Sequence, residues 1–198
     1  MELFIIRHGQ SEADLLNVHE GRADFPLTAL GKEQAGKMAT KVATNFQPEI
    51  ILASPLKRAK ETAAILQQAV GCPLTYYEEL MELNNGVLAG LARQEAEQKY
   101  PLPKGGRPPH HAIEAGESML QLKYRAEFMW QTILHEYKTH QRIAVVSHGG
   151  FISELIKVVL KQQGQPFIYP TGDTGIHHFS IRENDVVIRF INNTAHIQ

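Results

Sequence analysis

Cysteine is almost missing from this chain. Cys72 stands alone, so no internal disulfide framework can form, and a reducing cytosol is the expected compartment. No apolar run approaches the length of a membrane span. The opening Met1-Glu2-Leu3-Phe4-Ile5-Ile6-Arg7 has no basic leader followed by a long apolar stretch, so no signal peptide is expected. Neither sign of charge is in excess. The formal net charge is −1 at pH 7, which argues against nucleic acid as the main partner. Histidine is plentiful, but there is no His-Glu-x-x-His helix or Cys-rich cluster. His110-His111 and His177-His178 are therefore not read as metal ligands, and neither metal nor cofactor is expected. No repeat, low-complexity tract or linker divides the sequence, which predicts one domain over 1–198. Its 198 residues, 43% apolar and 21% charged, can bury a full core.

Three short apolar runs read as buried strands: Leu3 to Ile6, Ile50 to Ala53, and Ile143 to Ser147. A helical pattern follows each. Thr28 can cap a helix to about Thr44, with Leu30, Gln34, Met38 and Val42 in steps of four. Ser54-Pro55 looks like a helix start, with Ser54 as cap, running to Val70 and stopping at Gly71. Gly149-Gly150 opens a third helix to about Gln162. This alternation predicts an α/β fold with a largely parallel sheet. Residues 84–116, rich in Gly and Pro, read as an excursion over the sheet edge. A long helix from about Glu117 to His140 should follow, with Phe128, Ile133 and Leu134 in the core. Two β-like runs, Ile176 to Ile181 and Val186 to Ile191, suggest a hairpin across Arg182-Glu183-Asn184-Asp185.

In a parallel sheet the strand C-termini share one edge, where ligands bind. Arg7-His8-Gly9 follows the first strand. Ser54, with Arg58 one helical turn on, follows the second. His148-Gly149-Gly150 follows the third. Topology thus gathers two histidines and two arginines beside two helix N-termini, a set suited to phosphate. Gly9 leaves room for a close approach. The arginines disfavour imidazolium and help keep one histidine neutral, as a nucleophile must be. They also stabilise the equatorial oxygens of a loose transition state. A leaving alkoxide needs a proton, for which Glu82 is the candidate donor. On the residues alone, Glu78, Glu79 or a solvated surface role compete with it.

Six blocks in order resemble the histidine phosphatase superfamily, which includes the cofactor-dependent phosphoglycerate mutases. They are Arg7-His8-Gly9-Gln10-Ser11-Glu12, Leu27-Thr28-Ala29-Leu30-Gly31, Ala53 to Thr62, Glu82 with Gly86 and Gly90, Gly116-Glu117-Ser118, and Val146-Ser147-His148-Gly149-Gly150. Asn192-Asn193-Thr194-Ala195-His196 resembles a common C-terminal element. The resemblance implies a three-layer α/β/α sandwich with a mostly parallel mixed sheet, in which residues 84–116 form part of a cap. It makes His8 the phosphorylated nucleophile, Glu82 the proton donor, and Arg7, Arg58 and His148 the rest of the phosphate pocket. Substrate contacts are implied at Arg7, His8, Gln10, Asp14, Glu20, Gly21, Arg58, His148 and Gly149. Asp14 stands where relatives often carry Asn. Glu20 stands where mutases tend to carry a small hydroxyl residue, and a carboxylate there would repel phosphate unless a cation such as Arg22 pairs with it. The chain is also shorter than typical mutases after the acid block. The expectation is therefore a phosphatase acting on a small phosphorylated substrate, with a mutase-like phosphotransferase as the alternative and a non-catalytic phosphate-binding module as the weakest reading. Arg22, Arg93, Tyr100, His110 and His111 are the residues whose orientation would set specificity. The oligomeric state is open.

Overall fold

A computed structural model describes residues 1–162, 168–183 and 185–198. Six strands form one mixed sheet: β1 (Glu2–Arg7), β2 (Ile50–Ala53), β3 (Leu74–Tyr76), β4 (Arg142–Ser147), β5 (Ile176–Ile181) and β6 (Val186–Asn193). Their spatial order is β3-β2-β4-β1-β5-β6. The first four are mutually parallel, and β5 and β6 run antiparallel on the β1 side. The helices are α1 (Glu12–Leu16), α2 (Ala29–Asn45), α3 (Lys57–Val70), α4 (Arg93–Lys99), α5 (Met119–Glu136) and α6 (Gly149–Val159).

The central strands read as unbroken apolar runs because both their faces are covered. Leu3, Ile5, Leu52 and Val145 pack under α5 and α6, against Met129, Phe151 and Leu155. Ile6, Ile51, Ala144 and Val146 face the other way, onto Met38, Val42, Ala63 and Leu66 of α2 and α3. The period-2 alternation of a strand divides the residues between the two layers, giving the three-layer α/β/α sandwich.

Several boundaries differ from the sequence expectation. In α2 the buried row is Gly31, Ala35, Met38, Ala39 and Val42, while Leu30 faces solvent. Helix α3 begins at Lys57, two residues late, because Leu56 holds an extended conformation. Helix α5 begins at Met119 behind a reciprocal Ser118–Gln121 capping box and ends at Glu136. Ile133 is buried in its core face, but Phe128 is largely exposed. Helix α6 stops at Val159. The hairpin forms, with Arg182 N–H donating to the Asp185 carbonyl at 2.8 Å; Asn184 of that turn lies outside the described residues.

The 84–116 excursion contains a 3-10 turn (Gly86–Leu88) and α4. Its ends are tied together: Asn84 N–H donates to a Glu117 carboxylate oxygen at 2.7 Å, and Glu117 N–H returns to the Asn84 carbonyl at 2.8 Å. Its middle is pinned to the loop after α1, with His19 N–H on Leu91 O at 2.9 Å and Gly90 N–H on His19 O at 2.8 Å.

Candidate active site

Sheet register brings the chemistry together. Arg7 pairs with Ser147 across β1 and β4, and Ala53 with Val146 across β2 and β4. His8 and His148 are the first residues beyond the Arg7–Ser147 pair and Ser54 is level with that pair, so three chain segments end within one residue of each other. The His8 and His148 rings lie 5.0 Å apart, centroid to centroid, and both are buried. Arg58, in the first turn of α3, is 0% exposed despite its charge. Its Nε donates to His8 Nε2 at 3.2 Å. Its two terminal nitrogens donate to the carbonyls of Ala23 and Gly21 at 3.0 and 2.9 Å.

The hydrogen-bond network fixes the tautomer of His8, whereas its contact on His148 suits either tautomer. His8 Nδ1 lies 2.7 Å from the Gly9 carbonyl, a pure acceptor, so Nδ1 carries the proton and Nε2 keeps its lone pair. His148 Nε2 lies 2.8 Å from Ser54 Oγ. Leu56 N–H donates to that oxygen at 3.3 Å, which leaves the hydroxyl one proton and one lone pair, so Ser54 can either donate to His148 Nε2 or accept from it. His148 Nδ1 is buried with no protein partner, as is Arg7 Nε. Burial above all, and then the guanidinium charges of Arg58 and Arg7, hold His8 well below the ordinary histidine range. Burial and Arg58 do the same to His148. Both rings, not one, are therefore neutral at pH 7. For that reason the 3.9 Å approach of His8 Nε2 to Glu20 is no ion pair.

The remaining predicted residues fall into two groups. Glu20 faces the cluster: it accepts from the Ser11 hydroxyl and lies 3.5 Å from Arg58 Nε. Its cation is thus Arg58 and not Arg22, which instead reaches Glu117 at 3.9 Å. Gly21 takes part through its carbonyl on Arg58. Gly149 opens α6 beside Arg7, whose Nε would lie 3.8 Å from a Cβ placed there. Gln10 and Asp14 serve neighbouring turns. The Gln10 side-chain oxygen accepts from Thr28 at 2.9 Å, and Asp14 caps α1 through Ser11 N–H at 2.9 Å. Gly9 is needed for packing: a Cβ would sit 2.4 Å from the Gly31 carbonyl. Ser54 partners His148 instead of capping α3.

Glu82 meets the site at the N-terminus of α6. Its two carboxylate oxygens accept from Gly150 N–H at 2.9 Å and Phe151 N–H at 3.0 Å, and from its neighbour Leu83 N–H at 2.8 Å. A helix N-terminus favours such a carboxylate. Its charge acts on Arg58, as do those of Glu20 and Asp24. A Cβ on residue 150 would lie 2.6 Å from Glu82 Oε1, so glycine permits the approach. Glu78 and Glu79 sit in the preceding 3-10 turn and line a shallow hollow with Arg22, Tyr124 and Phe128.

Sequence reasoning missed the braces. Arg125 forks onto Glu117, and its guanidinium also donates to the carbonyls of Glu79, Met81 and Glu82. It thereby fixes the backbone that presents Glu82. Arg7 Nη1 is held by Thr171 O at 2.8 Å and by Asp173 at 3.3 Å. The polar run Thr171-Gly172-Asp173-Thr174 ahead of β5 was the available signal. Of the specificity candidates, His111 lines a cavity of about 280 Å³ with Arg107, Pro108 and Ile113. His110 packs edge-on against it, 4.2 Å between ring centroids. Arg93 lies beside His19, whose pKa is lowered by burial and by that guanidinium. Tyr100 terminates α4. His177 is a satisfied core histidine, bonded to Thr171 Oγ1 and to Asn192 N–H. Among the described residues, no three His, Cys, Asp or Glu side chains gather as a metal site requires, and no helix is long and apolar enough to cross a membrane.

Comparison with known proteins bears on this geometry. The family model described as histidine phosphatase superfamily (branch 1) matches residues 3–194. A probable phosphoglycerate mutase GpmB from Escherichia fergusonii is 33% identical over 165 residues, covering 81% of this chain and 75% of that protein. Among solved structures, the alpha-ribazole phosphatase from Shigella flexneri superposes with a TM-score of 0.85 at 27% identity, over 98% of this chain and 97% of the other. A phosphoserine phosphatase mutant from Entamoeba histolytica in complex with phosphoserine superposes with a TM-score of 0.78 at 27% identity, over 100% and 99% of the two chains.

Proposed function

This chain belongs to the histidine phosphatase superfamily, and on that footing we propose that it is a metal-independent phosphomonoesterase working through a phosphohistidine on His8. The supporting observation is a buried lone pair beside buried nitrogens that have no protein partner. With the Ser54 hydroxyl donating to His148 Nε2 and the ring proton on Nδ1, the lone pair of His8 Nε2 stands among unpartnered donors on His148 Nδ1 and Arg7 Nε. A phosphoryl group satisfies all three.

In the first half-reaction His8 Nε2 attacks phosphorus, the phosphorus–oxygen ester bond breaks, and Glu82 hands a proton to the departing oxygen. Arg58 Nε, now resting on the His8 lone pair, transfers its bond to a phosphoryl oxygen. In the second, water attacks the phosphohistidine, Glu82 takes the water's proton, and the phosphorus–nitrogen bond breaks. The three guanidinium and imidazole donors balance the charge on the equatorial oxygens throughout. Residues 84–116 act as a cap over the leaving group. The lone Cys72 thiol fits work in a reducing cytosol on a small phosphorylated metabolite, with no nucleic acid or membrane partner.

Mutase-like relatives keep a second reading in view, in which the phosphoenzyme returns its phosphoryl group to another hydroxyl. Glu20 favours release, because it places a carboxylate against Arg58 on the substrate side. Measuring free phosphate against isomerised product separates the two. The mechanism itself is tested by trapping. A labelled monoester should leave an adduct that survives base and is lost in acid, and that is absent from His8→Ala. An acid-stable adduct, or robust turnover by that variant, would sink the assignment.

A further inference from the structure

Beside the phosphate cluster lies a second cavity, of about 410 Å³, within the size range of small-molecule sites. Its walls are Leu83, Met119, Leu122, Ile168, Tyr169 and Pro170. Three further contacts join it to the site. Gly149 on its floor faces Arg7, the Thr171 carbonyl on its rim holds Arg7 Nη1, and Leu83 and Gly150 both bond the Glu82 carboxylate. The cavity therefore opens from the position of the proton donor. In an ester the atom that receives that proton is the one bonded to the organic group, so the organic group extends into this space.

Its charges are already spent on each other. Lys157 Nζ lies 2.9 Å from Glu154, and both stand on the same wall. No other cationic side chain is among the described lining residues. A second anionic group on the substrate, such as the carboxylate of a phosphoglycerate, would lie against these apolar walls with no cation free to pair with it. An apolar ring or short alkyl chain would instead cover apolar wall and leave water.

Building on the phosphatase reading, we infer that this cavity selects monoesters whose alcohol carries an aromatic or aliphatic group and no second negative charge. Selectivity is set by Met119, Ile168 and Tyr169, residues contacting the alcohol and not the phosphate.

The test compares alkyl esters with similar leaving groups, so that chemistry is held constant: phenethyl phosphate, glycerol 1-phosphate and 3-phosphoglycerate. Phenethyl phosphate should show the highest kcat/KM, by about tenfold or more over glycerol phosphate, as burying a ring implies. Met119→Glu puts a carboxylate into the wall. It lies in the first turn of α5, where a helix tolerates acid well. The phenethyl-to-glycerol ratio should fall about tenfold in that variant. Ile168→Glu, at a position 79% exposed, offers the same readout should the first variant misfold. Preference for 3-phosphoglycerate, or unchanged ratios in both variants, overturns the inference and leaves the phosphatase reading intact. Failure of the wild type to release phosphate from all three esters overturns both.

Discussion

The phosphate end and the leaving-group end of this site are built by different means. At the phosphate end, His8, Ser54 and His148 leave three parallel strands within one residue of a common register level, and Arg58, His8 and His148 are almost wholly removed from solvent. Backbone ladders fix them, and the sheet core behind them resists displacement. At the leaving-group end, Glu82 sits on a loop between a 3-10 turn and the excursion. Its place is set by side-chain-to-backbone bonds: Arg125 to three carbonyls, Glu117 to Asn84, and the α6 N-terminus to the carboxylate itself. On the phosphatase reading proposed above, the first construction holds the constant phosphate and the second can change with the alcohol, since loops vary without disturbing the sheet.

The largest effect should come from breaking the phosphate end. Arg58→Lys keeps the charge but loses the fork that links His8 to the Gly21 and Ala23 carbonyls. A fall in kcat/KM of about a thousandfold is expected, and by a similar factor for aryl and alkyl esters alike. Steady-state kinetics on both ester types check it. A loss confined to poor leaving groups would place Arg58 at the wrong end.

Glu82→Gln breaks the other end and should discriminate. Gln keeps one acceptor oxygen, which can serve the Phe151 and Leu83 N–H groups, gives up the bond from Gly150, and cannot supply a proton. Alkyl esters should lose about a hundredfold in rate, whereas an activated aryl ester, whose leaving group needs no proton, should lose little. Equal losses on both would remove Glu82 from the acid role.

Glu20→Gln sharpens the boundary between the ends. It removes a negative charge 3.5 Å from Arg58 and 3.9 Å from His8 Nε2, while an amide can still meet the Ser11 hydroxyl. Affinity for inorganic phosphate as a competitive inhibitor should rise about fivefold, from roughly 1 kcal/mol of relieved repulsion in a well-solvated setting. Weaker phosphate inhibition would show that Glu20 supports the Arg58 geometry more than it opposes the anion.

The same contrast explains what was legible in the sequence. Strand ends were readable because apolar runs bounded by His8, Ser54 and His148 mark where parallel strands stop. Once three such ends share an edge, the side chains just beyond them must meet. The 17-residue α2 and the Gly71 stop of α3 were readable from capping and punctuation. Position along a loop carries no such periodicity. Nothing in the pattern pairs Arg125 with the carbonyls before Glu82, or Arg58 and not Arg22 with Glu20. The three-residue β3 and five-residue α1 are too short for a period to show. Gly9 suggests clearance for a ligand, yet what it clears is the Gly31 backbone. A small residue signals a close approach without naming what approaches.

A last prediction separates the site histidines from a histidine that only fills space. His177 is buried like His8 and His148, but both of its nitrogens have protein partners, and burial lowers its pKa to about 4. In the unfolded chain it titrates near 6.5, the ordinary value. Between those values the unfolded state binds a proton that the folded state refuses, so stability falls as pH drops below about 6.5. One imidazole titrating in the unfolded state alone costs up to about 1.4 kcal/mol per pH unit. At pH 5.5 the cost from His177 is therefore about 1 kcal/mol. His177→Gln retains one donor and one acceptor and has no such titration. Denaturant melts at pH 7.5 and 5.5 should show the variant losing about 1 kcal/mol less than wild type on acidification, with kcat unchanged at pH 7.5. An identical acid loss in both proteins would mean that His177 is protonated in place and that the pH dependence belongs to other imidazoles whose pKa burial lowers, among them His8, His148 and His196.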